Sequence, residues 1–243
     1  VHNKRSGVAH FIAEDEKDCA ALIKKILSYL PSNNLETAPM SSSKDSPTRL
    51  NEGLKDIVPG DSKQSYDVKQ IIKEIFDKGS FLEVHKNFAK NAVVGFARLN
   101  GMSTGIIANQ PLVLAGCLDI DCSDKIARFV RLCDTFNLPI INLVDVPGYL
   151  PGTEQEHNGI IRHGAKMLYS YAEATVPKIA LVTRKAYGGA YIAMTSKKLG
   201  FDQVIAWPTA ELAVMGPQGA ANIIFRKEIE KAEDPEKFRQ QKI

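Results

Sequence analysis

Lys178–Thr183 is a short, largely apolar run that reads as a buried strand. Arg184-Lys185-Ala186-Tyr187-Gly188-Gly189-Ala190-Tyr191 follows it at once, and no further Gly or Pro appears until Gly200, so a helix begins at the glycine pair. A strand that passes through paired glycines into a helix belongs to a layered α/β arrangement. It leaves the first backbone N–H groups of the helix without intrahelical partners. Such a terminus attracts anions and developing oxyanions. No side chain in the stretch is an evident nucleophile or base, so any chemistry there falls to main-chain donors.

The rest of the chain agrees with that layering. Cys19, Leu22, Ile23, Ile26, Leu27 and Leu30 recur at helical spacing between Glu14 and Leu30, with Pro31 beyond the end. Residues 31–65 are rich in Ser, Pro, Asn and Asp, lack periodicity and read as a linker or surface loop. Asp67 is placed to cap a helix whose face carries Val68, Ile71, Ile72, Ile75 and Phe76. Val93–Leu99 and Thr104–Ala108 flank Asn100-Gly101, a hairpin signal. Ser123 is a candidate cap for a helix bearing Ile126, Phe129, Val130 and Cys133. Ile140–Val144 and Val204–Ala206 read as strands, and Gly159–Ala174 and Pro217–Arg226 as helices. From residue 93 onward strands and helices alternate, which predicts an α/β fold with a mainly parallel sheet.

Composition narrows the function classes. The chain has 243 residues, 44% of them hydrophobic, ample for a substantial core. A formal net charge of +3 is too mild to point to nucleic acid or an anionic membrane, and no apolar run is long enough to span a bilayer. Cys19, Cys117, Cys122 and Cys133 have no C-x-x-C spacing. They are expected as core or near-core thiols in a reducing, cytoplasmic setting rather than as zinc ligands. The chain begins at Val1 and stops in a charged helical run, Lys231–Ile243, so it is expected to be a piece of a longer protein.

Two other loops are candidates for chemistry. Asp145-Val146-Pro147-Gly148-Tyr149-Leu150-Pro151-Gly152 follows an apolar strand, where α/β folds place ligands. Asp145, Glu154 and Glu156 are possible general bases, against the blander reading of solvated loop carboxylates. His157 and His163 lie six apart and do not share a helical face, so no metal pair is expected. Thr195 and Ser196 have no G-x-S-x-G context. Gly216-Pro217-Gln218-Gly219 precedes a helix but lacks the G-K-[ST] of a phosphate loop. Trp207 is read as a packing residue.

Taken in order, Ser6-Gly7-Val8-Ala9-His10-Phe11, Gly116-Cys117-Leu118-Asp119-Ile120-Asp121, Asp145-Val146-Pro147-Gly148-Tyr149, the glycine-pair stretch, Ala206-Trp207-Pro208-Thr209-Ala210-Glu211 and Met215-Gly216 resemble the carboxyltransferase subunits of biotin-dependent acyl-CoA carboxylases. Within that family the nearest patterns are those of propionyl-CoA carboxylase beta chains, the transcarboxylase large subunit and methylmalonyl-CoA decarboxylase alpha chains. The resemblance runs along nearly the whole chain. It implies a crotonase-like fold of stacked ββα units. It also implies that residues 1–30 are the tail of an N-terminal acyl-CoA domain, 31–65 a linker, and 66–243 a C-terminal biotin-binding domain truncated at its end.

The resemblance further implies that the N–H groups of Gly189 and Ala190 receive the ureido oxygen of biotin as charge builds on it. Gly188, Tyr191, Gly148 and Gly216 would line the biotin site, and no metal is implied. Expected partners are an acyl-CoA, a biotin carboxyl carrier protein, biotin carboxylase or decarboxylase subunits, and further copies of the chain, from a dimer up to a hexamer. Ile192 stands where propionyl-carboxylating relatives often place Asp, a position that influences the acyl group accepted. A decarboxylase or transcarboxylase role is therefore as open as a carboxylase one. A CoA-thioester hydratase or isomerase of the crotonase group, and a non-enzymatic assembly domain, are the competing readings. With the acyl-CoA half largely missing, the fragment alone is expected not to turn over acyl-CoA.

Overall fold

The computed structural model describes every residue except Lys44, Pro47 and Lys63. All three fall in the expected linker 31–65, so that part of the expectation lies outside the described residues.

Asp15 starts helix α1 (Glu16–Leu27) by accepting from the Asp18 amide, and acids in its first turn and lysines in its last suit the helix dipole. None of its residues is buried, and Ile23 and Leu27 stay exposed. The stretch that follows is more than a tether. Its Ser41 amide donates to Gly101 O and its Pro39 carbonyl accepts from the Ser103 amide, and it forms a short 3-10 turn at Glu52–Asp56. Asp67 caps helix α2 (Val68–Ile75) as expected, with Val68, Ile71 and Ile72 buried.

Strands β1 (Leu82–Val84), β2 (Ala92–Leu99) and β3 (Met102–Asn109) form an antiparallel unit. Its tight turn is Asn100-Gly101, with φ of 50° and 81°, the double positive φ that matches strand twist. Helix α3 (Ile120–Thr135) starts a turn earlier than the Ser123 reading: Asp119 is its cap and accepts from the Cys122 amide at 2.8 Å. Ser123 instead lies inside the helix and donates back to Asp119 O.

Strand β4 (Ile140–Val146) leads to helices α4 (Thr153–His157) and α5 (Ile160–Glu173), and strand β5 (Lys178–Tyr187) to helix α6 (Gly188–Thr195). Strands β6 (Gln203–Ala206) and β7 (Glu211–Ala213) follow, then helices α7 (Pro217–Ile224), α8 (Arg226–Lys231) and α9 (Pro235–Lys242). The seven-stranded sheet runs β1-β2-β3-β4-β5-β6, with β7 also on β5, and every pairing from β3 onward is parallel.

Both sheet faces are covered, and the two-residue period of the strands decides which residue goes where. Val94, Phe96, Ile107, Ile140 and Val144 face α3, α5 and α6, where Ile126, Phe129, Met167, Tyr171, Ala193 and Met194 meet them. Val93, Ala97, Ile106, Ala108 and Leu143 face the other way, against Ile71, Ile72 and Phe76. Trp207 packs at the edge of this second cluster. Among the described residues no helix is long and apolar enough to cross a membrane. Cys122 and Cys133 are core thiols and Cys117 is half-buried, but Cys19 is exposed, because the face of α1 that carries it is not covered.

Candidate active site

The parallel strands β3, β4 and β5 end at one edge of the sheet, so the segments after them converge there. The first two are tied together: the Leu118 amide donates to Gly148 O at 3.0 Å, and Leu150 donates to Leu118 O at 2.8 Å. The third is the passage from Tyr187 into α6. Tyr187 is extended (φ −116°, ψ 144°), and its side chain makes no capping bond to the helix. Gly188 turns the chain with φ +58°, and a Cβ there would stand 3.2 Å from Val214 O, so this position asks for glycine on both counts.

The amides of Gly189 and Ala190 thus sit in the first turn of α6. Among the described residues neither donates to a side chain or to a loop carbonyl. Gly189 is exposed, whereas the Ala190 methyl is fully buried. The far end of the helix is held from below by Asn142, whose Nδ2 donates to Met194 O at 2.8 Å and to Tyr171 Oη at 2.9 Å. Two N–H groups without an acceptor among the described residues, at the start of an anchored helix, are the kind of donor set that an anion or a developing oxyanion can use.

Tyr149 forms the wall beside them. One edge of its ring lies 3.9 Å from where a Gly189 Cβ would be, and the other packs on Gly164 of α5, where a Cβ would stand 2.9 Å from the ring. Beyond the ring is a groove of about 290 Å³ lined by Tyr149, Glu156, Ile160, Ile161, Gly164, Ala165 and Leu168. The Tyr149 hydroxyl is buried without a hydrogen-bond partner among the described residues, and burial pushes its pKa up to about 12. On the opposite side, Gly216 is the N-cap residue of α7, a Cβ there would stand 3.1 Å from the Tyr187 ring, and the Tyr187 hydroxyl is hydrogen-bonded to Glu211.

The structure thus brings Gly188, Gly189, Ala190, Gly216 and the Gly148-Tyr149 loop into one neighbourhood. Tyr191 is half-buried against the main core, and Ile192 is 50% exposed on α6. Other candidates are placed differently. Asp145 is not a solvated loop carboxylate: it is 2% exposed and paired with Arg184 at 3.0 Å. Glu154 and Glu156 are exposed on α4, Glu156 at the groove's rim. His163 bonds Asp124 on α3, far in role from His157 on α4. Asn142 escaped the sequence reading, and Tyr149 entered it only as part of its loop, with no role of its own. A lone Asn inside the apolar run Ile140–Val144 is the available signal, since buried polar side chains are as a rule hydrogen-bonded.

The model for the carboxyl transferase domain matches residues 1–243. The chain belongs to the carboxyl transferase domain family. Methylmalonyl-CoA decarboxylase subunit alpha of Veillonella parvula is 60% identical over 231 residues, which cover 95% of this chain and 45% of that one. The methylmalonyl-CoA carboxyltransferase 12S subunit of Propionibacterium freudenreichii subsp. shermanii is 57% identical, covering 100% and 46%. A crystal structure of transcarboxylase 12S, described as a hexamer with methylmalonyl-coenzyme A and methylmalonic acid bound, superposes with a TM-score of 0.93 at 56% identity. It covers 99% of this chain and 46% of that one. The carboxyl transferase domain described here therefore has the crotonase-like α/β architecture of its structural neighbours. The chain spans about half the length of the curated relatives it matches.

Proposed function

We propose that this chain is the biotin-side half of an acyl-CoA carboxyltransferase, which moves a carboxyl group between biotin on a partner protein and an acyl-CoA such as propionyl-CoA or methylmalonyl-CoA. The observation that carries it is the uncapped start of α6, with the Gly189 and Ala190 amides beside an apolar groove. The relatives named for methylmalonyl-CoA or propionyl-CoA chemistry at 56–60% identity support the substrate class. The residues present fit a bicyclic urea: two N–H donors suit its oxygen, and the wall of Tyr149, Ile160, Gly164 and Leu168 suits its apolar body.

When bound, biotin supplies the nitrogen that holds or releases the carboxyl group. The chain's own part is electrostatic. Gly189 and Ala190 donate to the oxygen on which charge develops, and the helix dipole adds to their pull. Gly188 and Asn142 keep those donors from relaxing away. Ile192 is an uncharged, half-exposed side chain on the same helix and is assigned the choice of acyl group. Residues 66–243 make up the biotin-side domain, residues 1–30 belong to the acyl-CoA half, and the working enzyme is a homo-oligomer served by a carrier protein. Four unpaired cysteines fit a reducing cytoplasm. A methylmalonyl-CoA decarboxylase alpha subunit is the second reading, favoured by the Veillonella relative.

Gly189→Pro in the full-length subunit tests the assignment. Proline is tolerated in the first turn of a helix but lacks the N–H. The expected result is a folded protein whose carboxyl transfer from methylmalonyl-CoA to biotin is slower by ~10²–10³. Normal transfer by a folded variant would reject the oxyanion site. Sodium-dependent loss of carbon dioxide from methylmalonyl-CoA by the full-length subunit with its membrane partners would favour the decarboxylase reading, and ATP-dependent carboxylation of propionyl-CoA with a biotin carboxylase would favour the carboxylase one.

A further inference from the structure

We propose that Asp145, balanced by Arg184, is the positioning residue that aims the Gly189 and Ala190 amides; this rests on the oxyanion reading above. The starting point is a break in the sheet just before the site. Along β4 and β5 the pairing is regular to Val144↔Val182 and resumes at Val146↔Ala186, so two residues of β4 span four of β5. On its other edge β5 changes partner over the same interval, from β6 at residues 179–182 to β7 at residues 185–187. The β5 backbone at 183–184 therefore lacks a ladder partner on both sides, and Lys185 is paired only with Glu211 of β7. Bulges of this kind re-aim a strand and recur next to active sites.

The displaced backbone is held by side chains. Asp145 Oδ1 accepts from the Lys185 amide at 3.1 Å, which supplies an acceptor where the β4 ladder has none. Its Oδ2 accepts from Arg184 Nε at 3.0 Å and lies 3.0 Å from the second guanidinium nitrogen. Thr183 Oγ1 donates to Val144 O at 3.1 Å across the same gap. Both charged side chains are buried, at 2% and 6% exposure, and each is the other's counter-charge, so removing either leaves a buried charge uncompensated. Arg184 is fixed in turn by Gln64 O at 2.7 Å and by the face of Tyr66 at 5.1 Å. Lys185 Nζ donates to Ser62 O at 2.6 Å. Three residues separate the Lys185 amide from Gly188. A carboxylate that sets the first therefore sets the direction in which the chain enters α6. Neither Asp145 nor Arg184 touches the reacting atoms in this account, and the conspicuous cations of the glycine-pair stretch point away from the donors they precede.

The experiment compares Asp145→Asn, Arg184→Lys and Gly189→Pro in the full-length subunit. Carboxyl transfer from methylmalonyl-CoA to free biotin is read as kcat per folded subunit, with KM for the acyl-CoA measured alongside. Asn keeps an oxygen for the Lys185 amide and removes the charge. A misaim of about 1 Å is worth ~10²-fold in rate, so Asp145→Asn is expected to lose on that order in kcat, with KM for the acyl-CoA within about twofold. Arg184→Lys keeps the charge but not the fork, and is expected to keep more activity than Arg184→Leu while falling at least about tenfold below wild type. Turnover retained by Gly189→Pro removes the oxyanion reading and this inference with it. Turnover lost by Gly189→Pro but kept by folded Asp145→Asn overturns this inference alone. If Asp145→Asn does not fold, Arg184→Lys decides, and wild-type kcat in that variant overturns it. Failure of both to fold, or a matching rise in acyl-CoA KM, assigns the pair a purely structural role and overturns it as well.

Discussion

Tyr149 carries a contradiction within one side chain. Its ring is wedged between Gly164 and Gly189 and shapes the groove, yet its hydroxyl is buried with no partner among the described residues. Leaving a buried donor unmade costs about 1–3 kcal/mol, so Tyr149→Phe should stabilise the protein by roughly 1 kcal/mol while keeping the wall of the groove intact. A urea melt checks this, and a lower midpoint for Phe would show that the hydroxyl finds a partner in solution. Lys125 is the opposite case. Its buried ammonium donates to the carbonyls of His85, Phe88, Ala89 and Ala92, between 2.6 and 3.1 Å. The loop it gathers includes two non-glycine residues at positive φ, His85 and Ala89, a conformation that persists only when its surroundings hold it.

At the scale of elements, α3 shows how a cap serves two purposes. Asp119 accepts from the Cys122 amide at 2.8 Å and from Asn91 Nδ2 at 3.1 Å, so the carboxylate that starts the helix also ties it to the entry of β2. The residue just before it, Leu118, pairs with the Gly148-Tyr149 loop. Asp119→Ala should cost about 1–2 kcal/mol, at the upper end for a cap because a second bond is lost with it. Denaturant unfolding at neutral pH measures that cost, and Asp119→Asn should recover most of it. The cap also explains why Ser123 misled: Ser is a good capping residue, but a carboxylate four positions earlier claims the amide that a starting helix leaves open.

At the scale of the molecule, residues 1–11 are fastened to the body through His85. Its amide donates to His10 O, its Nε2 meets Gly7 O at 2.9 Å, and its ring stacks on His10 at 4.2 Å. Burial, and then the neighbouring His10, lower the His85 pKa from 6.5 to about 4. A histidine lowered in the folded state binds fewer protons there than when unfolded. Its contribution is therefore complete above pH 6.5 and drains as the pH falls towards 4. Thermal melts between pH 7 and pH 4 should show a steeper fall for wild type than for His85→Gln. Parallel curves for the two proteins would remove His85 from the account.

The sequence by itself determined the elements with strong local signals. Asn100-Gly101 needed only its own two residues to announce a hairpin, Asp67 announced α2, and the glycine pair announced an open helix start, because turns, caps and periodicity are short-range matters. Packing decided the rest. Whether Asp145 met water or Arg184, whether Asn142 was a flaw in an apolar strand or the anchor of α6, and whether Cys19 was covered or bare depended on residues far away in the chain. A charge or an amide in a strand carries no mark of its partner, and burial fixes its role only once the sheet has brought that partner within hydrogen-bond reach.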